Sequence, residues 1–388
     1  MKASFKLFRI AGIDIGIHFS WIFIFVFFTW TLAVSWFPSI NPNWSAAAYW
    51  IAGIISSLAL FISVLIHELA HSLVAKARGL PVSSITLFIL GGVSNLQEEP
   101  KKPGVEFTMA IVGPGTSLVL AVIFFAITRA IGTANSTTGP YAVIFYLFYA
   151  NLLLGIFNLL PGFPLDGGRV LRSIIWGSTG DLKRATNVAA TVGQVFGWLF
   201  IGFGVFFVLG GSILGVQGDF ISGLWLAFIG WFLNSSADAS RKEVTLRERL
   251  SHVKVRTLMN LNTSTISPET SVQEMVNGIF NRQHERAVPV CRDNQLLGIA
   301  TIADIKKVPQ ERWATTPVKE IMSGTNLQTV SPDDDLNTAL QLIAKNDINQ
   351  VIIKENGNCA GLLTRADIIR YVQTSQELGL RPKNGKSV

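Results

Sequence analysis

Apolar residues dominate the first 238 positions of the chain, and few charges interrupt them. No Asp, Glu, Lys or Arg lies between Asp14 and Glu68, and Asp166 is the next charged residue after Arg129. A helix needs about 20 apolar residues to span a bilayer. Six nearly uncharged runs approach or exceed that length: His18–Phe37, Ala48–Ala75, Phe107–Thr128, Tyr141–Leu160, Ala189–Leu209 and Phe220–Leu233. The pattern predicts a polytopic α-helical membrane domain with about six transmembrane helices.

Two segments of this region have the period of strands rather than helices. Residues 5–17 alternate weakly and predict a short strand before the first helix. Residues 82–96 are rich in β-branched side chains around Gly91 and Gly92, which predicts a hairpin or a kinked strand pair. The alternative for this second segment is an ordinary loop at the membrane interface.

Charged residues become frequent from Arg241 on, which predicts a soluble domain after the membrane domain. Over the whole chain they make up only 15% of 388 residues, against roughly 25% in soluble proteins. Lys and Arg lie before the first run and after the second, fourth and sixth runs. By the positive-inside rule, both termini and the soluble domain are expected in the cytoplasm. The net charge of +7 is spread over these loops, which argues against a nucleic-acid partner.

The N-terminus is not expected to be a signal peptide, since Asp14 interrupts it and the apolar run that follows is too long. The two cysteines, Cys291 and Cys359, both fall in the predicted cytoplasmic part. They imply no disulfide framework and no cysteine metal site.

The second apolar run ends in His67-Glu68-Leu69-Ala70-His71. Histidines at i and i+4 share one face of a helix and can bind one metal ion, with the glutamate beside them as a base. The alternative is a pair of helical histidines with satisfied hydrogen bonds. Ionisable residues inside a membrane helix are costly and are functional by default, so the metal hypothesis is favoured.

A catalytic zinc ion usually has three protein ligands and one open position. Asp166 is the candidate third ligand, because the predicted topology brings the second and fourth runs to the same side of the membrane. Pro161 and Pro164 break the fourth helix and allow Asp166 to turn toward the metal. The alternative for Asp166 is an aspartate in an interfacial loop.

The HELAH sequence and Asn158-Leu-Leu-Pro-Gly-Phe-Pro-Leu-Asp166-Gly-Gly resemble the site-2 protease family of intramembrane zinc metalloproteases over about residues 1–235. The resemblance implies one Zn²⁺ per chain held by His67, His71 and Asp166. Glu68 would be the catalytic acid/base, taking a proton from water and passing it to the leaving amine. Zinc would lower the pKa of its bound water and polarise the scissile carbonyl.

The substrates implied by this family are transmembrane proteins whose helix must unwind locally. In the resembling family a re-entrant strand pairs with the extended substrate, which makes Gly91 and Gly92 candidate substrate-binding residues. Asn158 is a further candidate, as a donor to the substrate backbone or the oxyanion. The alternative for Asn158 is a hydrogen bond between helices. The sequence Gly113-Pro114-Gly115 is interpreted as a kink with close helix packing.

The cytoplasmic part is an internal repeat. Residues 255–259 match 318–322, Ser267-Pro268 matches Ser331-Pro332, and residues 298–304 match 361–367. The repeat resembles a tandem pair of CBS domains, an α/β (Bateman) module that commonly binds adenine nucleotides such as ATP, ADP or AMP. Candidate nucleotide-binding residues come from both copies and are Thr301, Asp304, Thr364 and Asp367.

The alternative is that these threonines and aspartates are helix caps and that the pair serves only as a homodimer or docking surface. The predicted domains are a transmembrane metalloprotease (1–238), a linker (239–252), two CBS domains (253–313 and 314–375) and a tail (376–388). The predicted function is intramembrane proteolysis modulated through the CBS pair. The alternatives are a transporter or channel with CBS domains and a scaffold that binds membrane partners without a metal.

Overall fold

The structure is a computed structural model that describes residues 4–89, 91–96, 99–132, 138–213, 216–259, 265–280, 286–293, 295–324, 327–355 and 358–378. Most of the predicted tail, 376–388, lies outside these residues. Contacts divide the chain into two compact units, Met1–Val244 and Thr245–Val388.

Among the described residues, seven helices begin in the first unit, and the last of them ends in the second: α1 (Trp21–Ile40), α2 (Ala46–Ala77), α3 (Pro103–Ile131), α4 (Gly139–Asn158), α5 (Asp166–Thr179), α6 (Leu182–Val208) and α7 (Phe220–Ser251). All except α5 are long and apolar enough to cross a membrane. Each of these six overlaps one of the predicted runs, so the predicted number of spanning helices is confirmed.

Helices α6 and α7 extend furthest beyond one end of their predicted runs. Helix α7 continues past Leu233 to Ser251 and takes in most of the predicted linker, and α6 begins at Leu182 rather than at Ala189. The side chain of Asp181 accepts a hydrogen bond from the Arg184 amide at the start of α6. Charged residues end an apolar run, but they do not end a helix, because Arg, Lys and Glu are good helix formers.

A four-stranded sheet completes this unit, with strands β1 (Phe5–Ile10), β2 (Ile13–Ile17), β3 (Val82–Phe88) and β4 (Gly91–Leu96) in the order β1-β2-β3-β4. Strands β3 and β4 are antiparallel, which confirms the predicted strand pair. A further short hairpin, β5 (Ser212–Ile213) and β6 (Val216–Gln217), joins α6 to α7.

The prediction of one strand over residues 5–17 is wrong, because the segment forms the antiparallel hairpin β1-β2. Ala11 and Gly12 make its turn, both with positive φ angles of 50° and 77°. Positive φ at both central residues suits the tight turn that joins twisted strands. The alternating pattern runs through such a turn and therefore does not reveal it.

The second unit contains a five-stranded sheet among its described residues, in the order β7-β8-β11-β10-β9. Its strands are β7 (Ala287–Arg292), β8 (Gln295–Thr301), β9 (Thr329–Val330), β10 (Gln350–Glu355) and β11 (Asn358–Thr364), and its helices are α8 (Val272–Met275), α9 (Ile302–Ile305), α10 (Leu336–Lys345) and α11 (Arg365–Glu377). In each copy an antiparallel hairpin leads into a helix, β7-β8-α9 and β10-β11-α11. This confirms the internal repeat.

The two copies exchange their first segments. Val255, which the sequence repeat places in the first copy, is fully buried in a core with Leu336 and Val351 of the second. Its counterpart Val318 is fully buried in the core of the first copy, with Val272 and Val288. Backbone hydrogen bonds follow the same exchange, since the Val255 amide donates to Asp334 and the Val318 amide donates to Thr270. The predicted boundary between residues 313 and 314 therefore divides the repeat in sequence but does not divide the two cores.

Candidate metal centre and its surroundings

Three side chains converge inside the first unit. The Asp166 Oδ2 lies 3.1 Å from the Nε2 of both His67 and His71, and the two Nε2 atoms are 3.2 Å apart. Both histidines are buried on one face of α2, and Asp166 is the first residue of α5. Among the described residues these three form the group of His, Cys and acidic side chains that could hold a metal ion. The structure thus brings together the three predicted ligands.

Helix α3 orients both imidazole rings. The His71 Nδ1 lies 2.6 Å from the Met109 carbonyl oxygen, and the His67 Nδ1 lies 2.9 Å from the Ser117 hydroxyl. A carbonyl oxygen only accepts hydrogen bonds, so the His71 Nδ1 carries the proton and leaves the Nε2 lone pair free for a metal. Ser117 can accept from His67 in the same way. Met109 and Ser117 were not found from the sequence, because nothing in the chain pairs them with the histidines.

Gly113 of α3 leaves space beside the ligands. A Cβ atom at this position would lie 2.1 Å from the His71 Nε2 and 2.7 Å from the His67 Nε2. Two imidazoles and one carboxylate are the donor set of a catalytic zinc site. The set and the open space together fit a zinc ion. From the sequence, Gly113 is interpreted as part of a kink with close helix packing. Close packing does occur one residue later, where a Cβ on Gly155 of α4 would be 3.2 Å from the Pro114 carbonyl oxygen.

Glu68 lies beside the ligands and against strand β4. The Ser94 hydroxyl donates a hydrogen bond to the Glu68 Oε2 at 2.9 Å, and the Ser72 Oγ lies 3.0 Å from the Ser94 Oγ. A Cβ on Gly92 would come within 2.4 Å of the Glu68 Cγ. The strand therefore passes directly over the predicted base, and only glycine fits at position 92. Sequence reasoning missed Ser94, although the serine follows the Gly-Gly pair by two residues.

The other two predicted substrate-binding residues have different surroundings. Gly91 has a φ angle of 126° and open space where a Cβ would lie. Asn158 is the last residue of α4 and is partly buried. Its amide nitrogen donates to the Leu154 carbonyl oxygen at 2.9 Å, one turn earlier in the same helix.

A buried ion pair links helices α3 and α5. Two nitrogens of the Arg172 guanidinium, Nε and Nη2, donate to the Glu106 Oε1, with the Nε at 2.7 Å. The Glu106 side chain is 1% exposed and the Arg172 side chain 9%. The Arg169 Nε lies 4.0 Å from the same oxygen. Neither Glu106 nor Arg172 was a predicted site residue.

The four candidate nucleotide-binding residues form two equivalent helix caps. Thr301 begins α9, and its hydroxyl donates to the Asp304 Oδ2 at 2.7 Å. Thr364 begins α11, and its hydroxyl donates to the Asp367 Oδ2 at 2.6 Å. Each aspartate also accepts from the backbone amide of its threonine, which completes a capping box. The structure thus gives these residues the capping role that the sequence left open beside nucleotide binding.

Comparisons with known proteins follow the division into two units. A sequence profile of peptidase family M50 matches residues 55–134 and 127–200, and a profile of the CBS domain matches residues 255–311 and 318–374.

Individual proteins match over most of the chain. A Synechocystis sp. protein named "Putative zinc metalloprotease" is 38% identical over 339 residues, which cover 86% of each chain. Rip3 of Mycobacterium tuberculosis, which bears the same description, is 32% identical over 375 residues, 96% of this chain and 93% of its own. Among solved structures, a site-2 protease from Methanocaldococcus jannaschii matches with a TM-score of 0.42 and 27% identity, over 61% of this chain and 94% of that one.

Proposed function

Because the chain belongs to peptidase family M50, the site-2 protease family of zinc metalloproteases, we propose that it hydrolyses peptide bonds in or near transmembrane segments of other membrane proteins. Membership makes it an integral membrane metalloprotease, and its second unit is a tandem pair of CBS domains. The convergence of His67, His71 and Asp166 beside Glu68, on a helix long enough to span a membrane, carries the proposal. The alternatives of a transporter and of a scaffold without a metal lose their basis with this membership.

In the proposed mechanism, His67 and His71 offer their Nε2 atoms and Asp166 its Oδ2 to the zinc ion. When bound, zinc supplies a Lewis acid for the scissile carbonyl and lowers the pKa of a water molecule toward about 7. Met109 and Ser117 hold the two rings so that both Nε2 atoms stay turned inward. Three protein ligands leave one coordination position for water or substrate.

Glu68 is the proposed general base. Its carboxylate accepts a proton from the attacking water and passes it to the leaving amine nitrogen as the peptide bond breaks. Ser94 holds the Oε2 atom at 2.9 Å, which restricts rotation of the carboxylate. The base is then oriented before the substrate arrives, so less ordering is needed when the reaction occurs.

Strand β4 is the proposed docking edge for the substrate. It pairs with β3 on one side, and among the described residues no strand pairs with its other side. An extended substrate segment that pairs with this edge would pass close to Glu68, because Gly92 lies against that residue. Pairing also gives hydrogen bonds to the substrate backbone groups that lose their helical partners on unwinding. Gly91, on this strand, and Asn158, at the end of α4, remain proposed substrate contacts.

The test compares membrane proteomes of cells that carry the wild-type chain and the Glu68→Gln variant. Transmembrane substrates should accumulate uncut with Glu68→Gln, while the purified variant keeps one zinc ion per chain because all three ligands remain. A chain with His67→Ala is the metal-free control. Cleavage at the wild-type rate by Glu68→Gln would contradict the proposed mechanism.

For orientation, we propose that both termini and the CBS pair lie in the cytoplasm. The support is the placement of Lys and Arg, which are concentrated before the first spanning helix and after the second, fourth and sixth. Single-cysteine variants in the Cys291→Ser, Cys359→Ser background test the proposal with an impermeant thiol reagent. A cysteine at Ser251 should be labelled only after the membrane is opened, and labelling in intact cells would reverse the assigned orientation.

For regulation, we propose that the CBS pair binds an adenine nucleotide, forms a homodimer and modulates cleavage. The support is the match of the second unit to two CBS domains, a module that commonly binds adenine nucleotides. ATP, ADP and AMP are added in turn to the full-length protein, and its melting temperature and sedimentation are measured. At least one nucleotide should raise the melting temperature, and the variants Asp304→Ala and Asp367→Ala should reduce the rise. No shift with any of the three would contradict nucleotide binding, and a sedimenting monomer would contradict the dimer.

A further inference from the structure

The Glu106–Arg172 ion pair joins two helices that contribute to the metal centre. Glu106 lies one turn before Met109 on α3, the helix whose groups orient both histidine rings. Arg172 lies on α5, the helix that begins with Asp166. The two donors of Arg172 converge on one oxygen of Glu106, so the pair restrains the position of α5 relative to α3.

Arg172 also contacts the loop that leads into Asp166. The guanidinium carbon lies 5.0 Å from the centre of the Phe163 ring. Cations are attracted to the faces of aromatic rings. The Arg172 side chain thus connects its own helix, α5, with two other elements. These are the loop that precedes Asp166 and helix α3, which orients His67 and His71.

Stability alone is a weak explanation for this arrangement. Both charges lie out of water, and the loss of hydration on burial can exceed the attraction between the two ions. Apolar side chains of similar volume would hold two helices together without this cost. Buried ion pairs are better suited to specifying one relative position of two elements.

We infer that Glu106 and Arg172 are positioning residues that place the Asp166 carboxylate at bonding distance from a metal ion held by His67 and His71. The inference rests on the ligand set of the proposed function. Groups that hydrogen-bond a metal ligand directly often change metal affinity by about 10- to 100-fold when they are mutated. Glu106 and Arg172 act one step further out, through α3, α5 and Phe163, so the lower end of that range is expected. Loss of the pair should therefore weaken zinc binding while the ligands themselves remain.

The experiment uses the full-length protein in detergent. Zinc affinity is measured by competition with a chelator, and the absorption spectrum of the Co²⁺-substituted protein reports the ligand geometry. Glu106→Gln removes the charge and keeps the side-chain size, whereas Arg172→Lys keeps the charge and loses the planar donor pair. Glu106→Asp keeps the carboxylate one methylene further back and is the conservative variant.

Glu106→Gln and Arg172→Lys should each bind zinc about tenfold more weakly, with an altered Co²⁺ spectrum, and Glu106→Asp should recover part of the loss. The stability control is Tyr49→Phe, which removes a hydrogen bond of 2.6 Å to the Asn41 carbonyl, about 27 Å from His67 along α2. It should lower the melting temperature without changing zinc affinity.

Three results decide between the explanations. Wild-type zinc affinity in folded Glu106→Gln, or in Arg172→Lys if Glu106→Gln does not fold, would overturn the inference. Equal zinc loss in Tyr49→Phe would overturn it as well, because the effect would then reflect general destabilisation. Zinc retention by His67→Ala would instead show that the proposed ligand set is wrong.

Discussion

Ser94 donates a hydrogen bond to Glu68, with its Oγ 2.9 Å from the Glu68 Oε2. The serine belongs to strand β4 and the glutamate to helix α2, so this bond connects the proposed docking edge with the proposed base. Its single hydroxyl proton is used by Glu68, and Ser72 therefore donates to Ser94 across 3.0 Å. The order of donors runs from Ser72 through Ser94 to the carboxylate.

Ser94→Ala should lower kcat about tenfold while zinc content stays at one per chain. Loss of one hydrogen bond to a charged group costs about 1.5 kcal/mol, which corresponds to roughly a tenfold change in rate. The value of KM should change little, because the serine side chain faces Glu68 and not the free edge of the strand. Cleavage of a purified substrate at several concentrations gives both constants.

The matched control is Ser83→Ala, on the neighbouring strand β3. Ser83 is half-buried, and its hydroxyl donates an exposed hydrogen bond to the Asn95 carbonyl at 3.4 Å. This variant should keep the wild-type kcat. If Ser94→Ala also keeps it, the hydrogen bond does not orient the base during turnover.

Gly113→Ala should lose most of its zinc. The added methyl group would stand 2.1 Å from the His71 Nε2, so the ring must turn away from the metal. We expect at least tenfold weaker zinc binding, measured by metal analysis after dialysis against a chelator. Helix propensity works in the opposite direction, since alanine stabilises a helix by about 1 kcal/mol relative to glycine.

Gly115→Ala is the control on the same helix, because nothing lies within 4 Å of a Cβ at that position. It should bind zinc like the wild type and have an equal or higher melting temperature. Normal zinc binding by Gly113→Ala would contradict the proposed position of the ion beside this glycine.

The three proposed metal ligands could be found from the sequence because their signals are local or nearly isolated. His67 and His71 have the spacing of one helix face, and Asp166 is the next charge after a long uncharged stretch. The helices were predictable for the same reason, since apolar length is a property of the sequence alone. Their ends were not, as α7 shows by continuing through a charged segment.

The residues that support the ligands could not be found in this way. Glu106 and Arg172 are 66 positions apart, and both look like ordinary charges of a cytoplasmic loop until α3 and α5 pack together. Gly113 looked like a packing glycine because the sequence does not show which helix faces it. The exchange of Val255 and Val318 between the CBS cores could not be predicted either. Equivalent segments of a repeat are equally apolar, so the sequence does not show which segment packs in which core.

Val255→Ala should destabilise the core of the second CBS copy, and Val318→Ala that of the first. Each substitution removes two buried methyl groups and should cost about 1.5 kcal/mol. Hydrogen exchange of the full-length protein locates the effect. Val255→Ala should speed exchange in β10 and α10, and Val318→Ala should speed it in β7 and α8. The two variants serve as each other's controls, and faster exchange in β7 with Val255→Ala would contradict the exchanged packing.

Cys291 should react slowly with iodoacetamide in the folded protein at neutral pH. Burial, and then the neighbouring Cys359 thiol, raise the pKa of Cys291 to about 11 from an ordinary value near 9. The thiolate is the reactive form, so its fraction at pH 8 falls about a hundredfold, partly offset by the higher nucleophilicity of a more basic thiolate. Alkylation measured by mass spectrometry should be at least tenfold slower than in urea.

The logarithm of the alkylation rate in the folded protein should rise by one for each pH unit up to about pH 10, whereas the rate in the unfolded chain levels off near pH 9. Since the folded state holds this proton more tightly, the thiol favours folding below about pH 9 and loses that contribution as the pH rises toward 11. The Cys359→Ser variant leaves one thiol in the chain and assigns the rate to Cys291. Equal alkylation rates in the folded and unfolded protein at pH 8 would contradict the buried, protonated thiol.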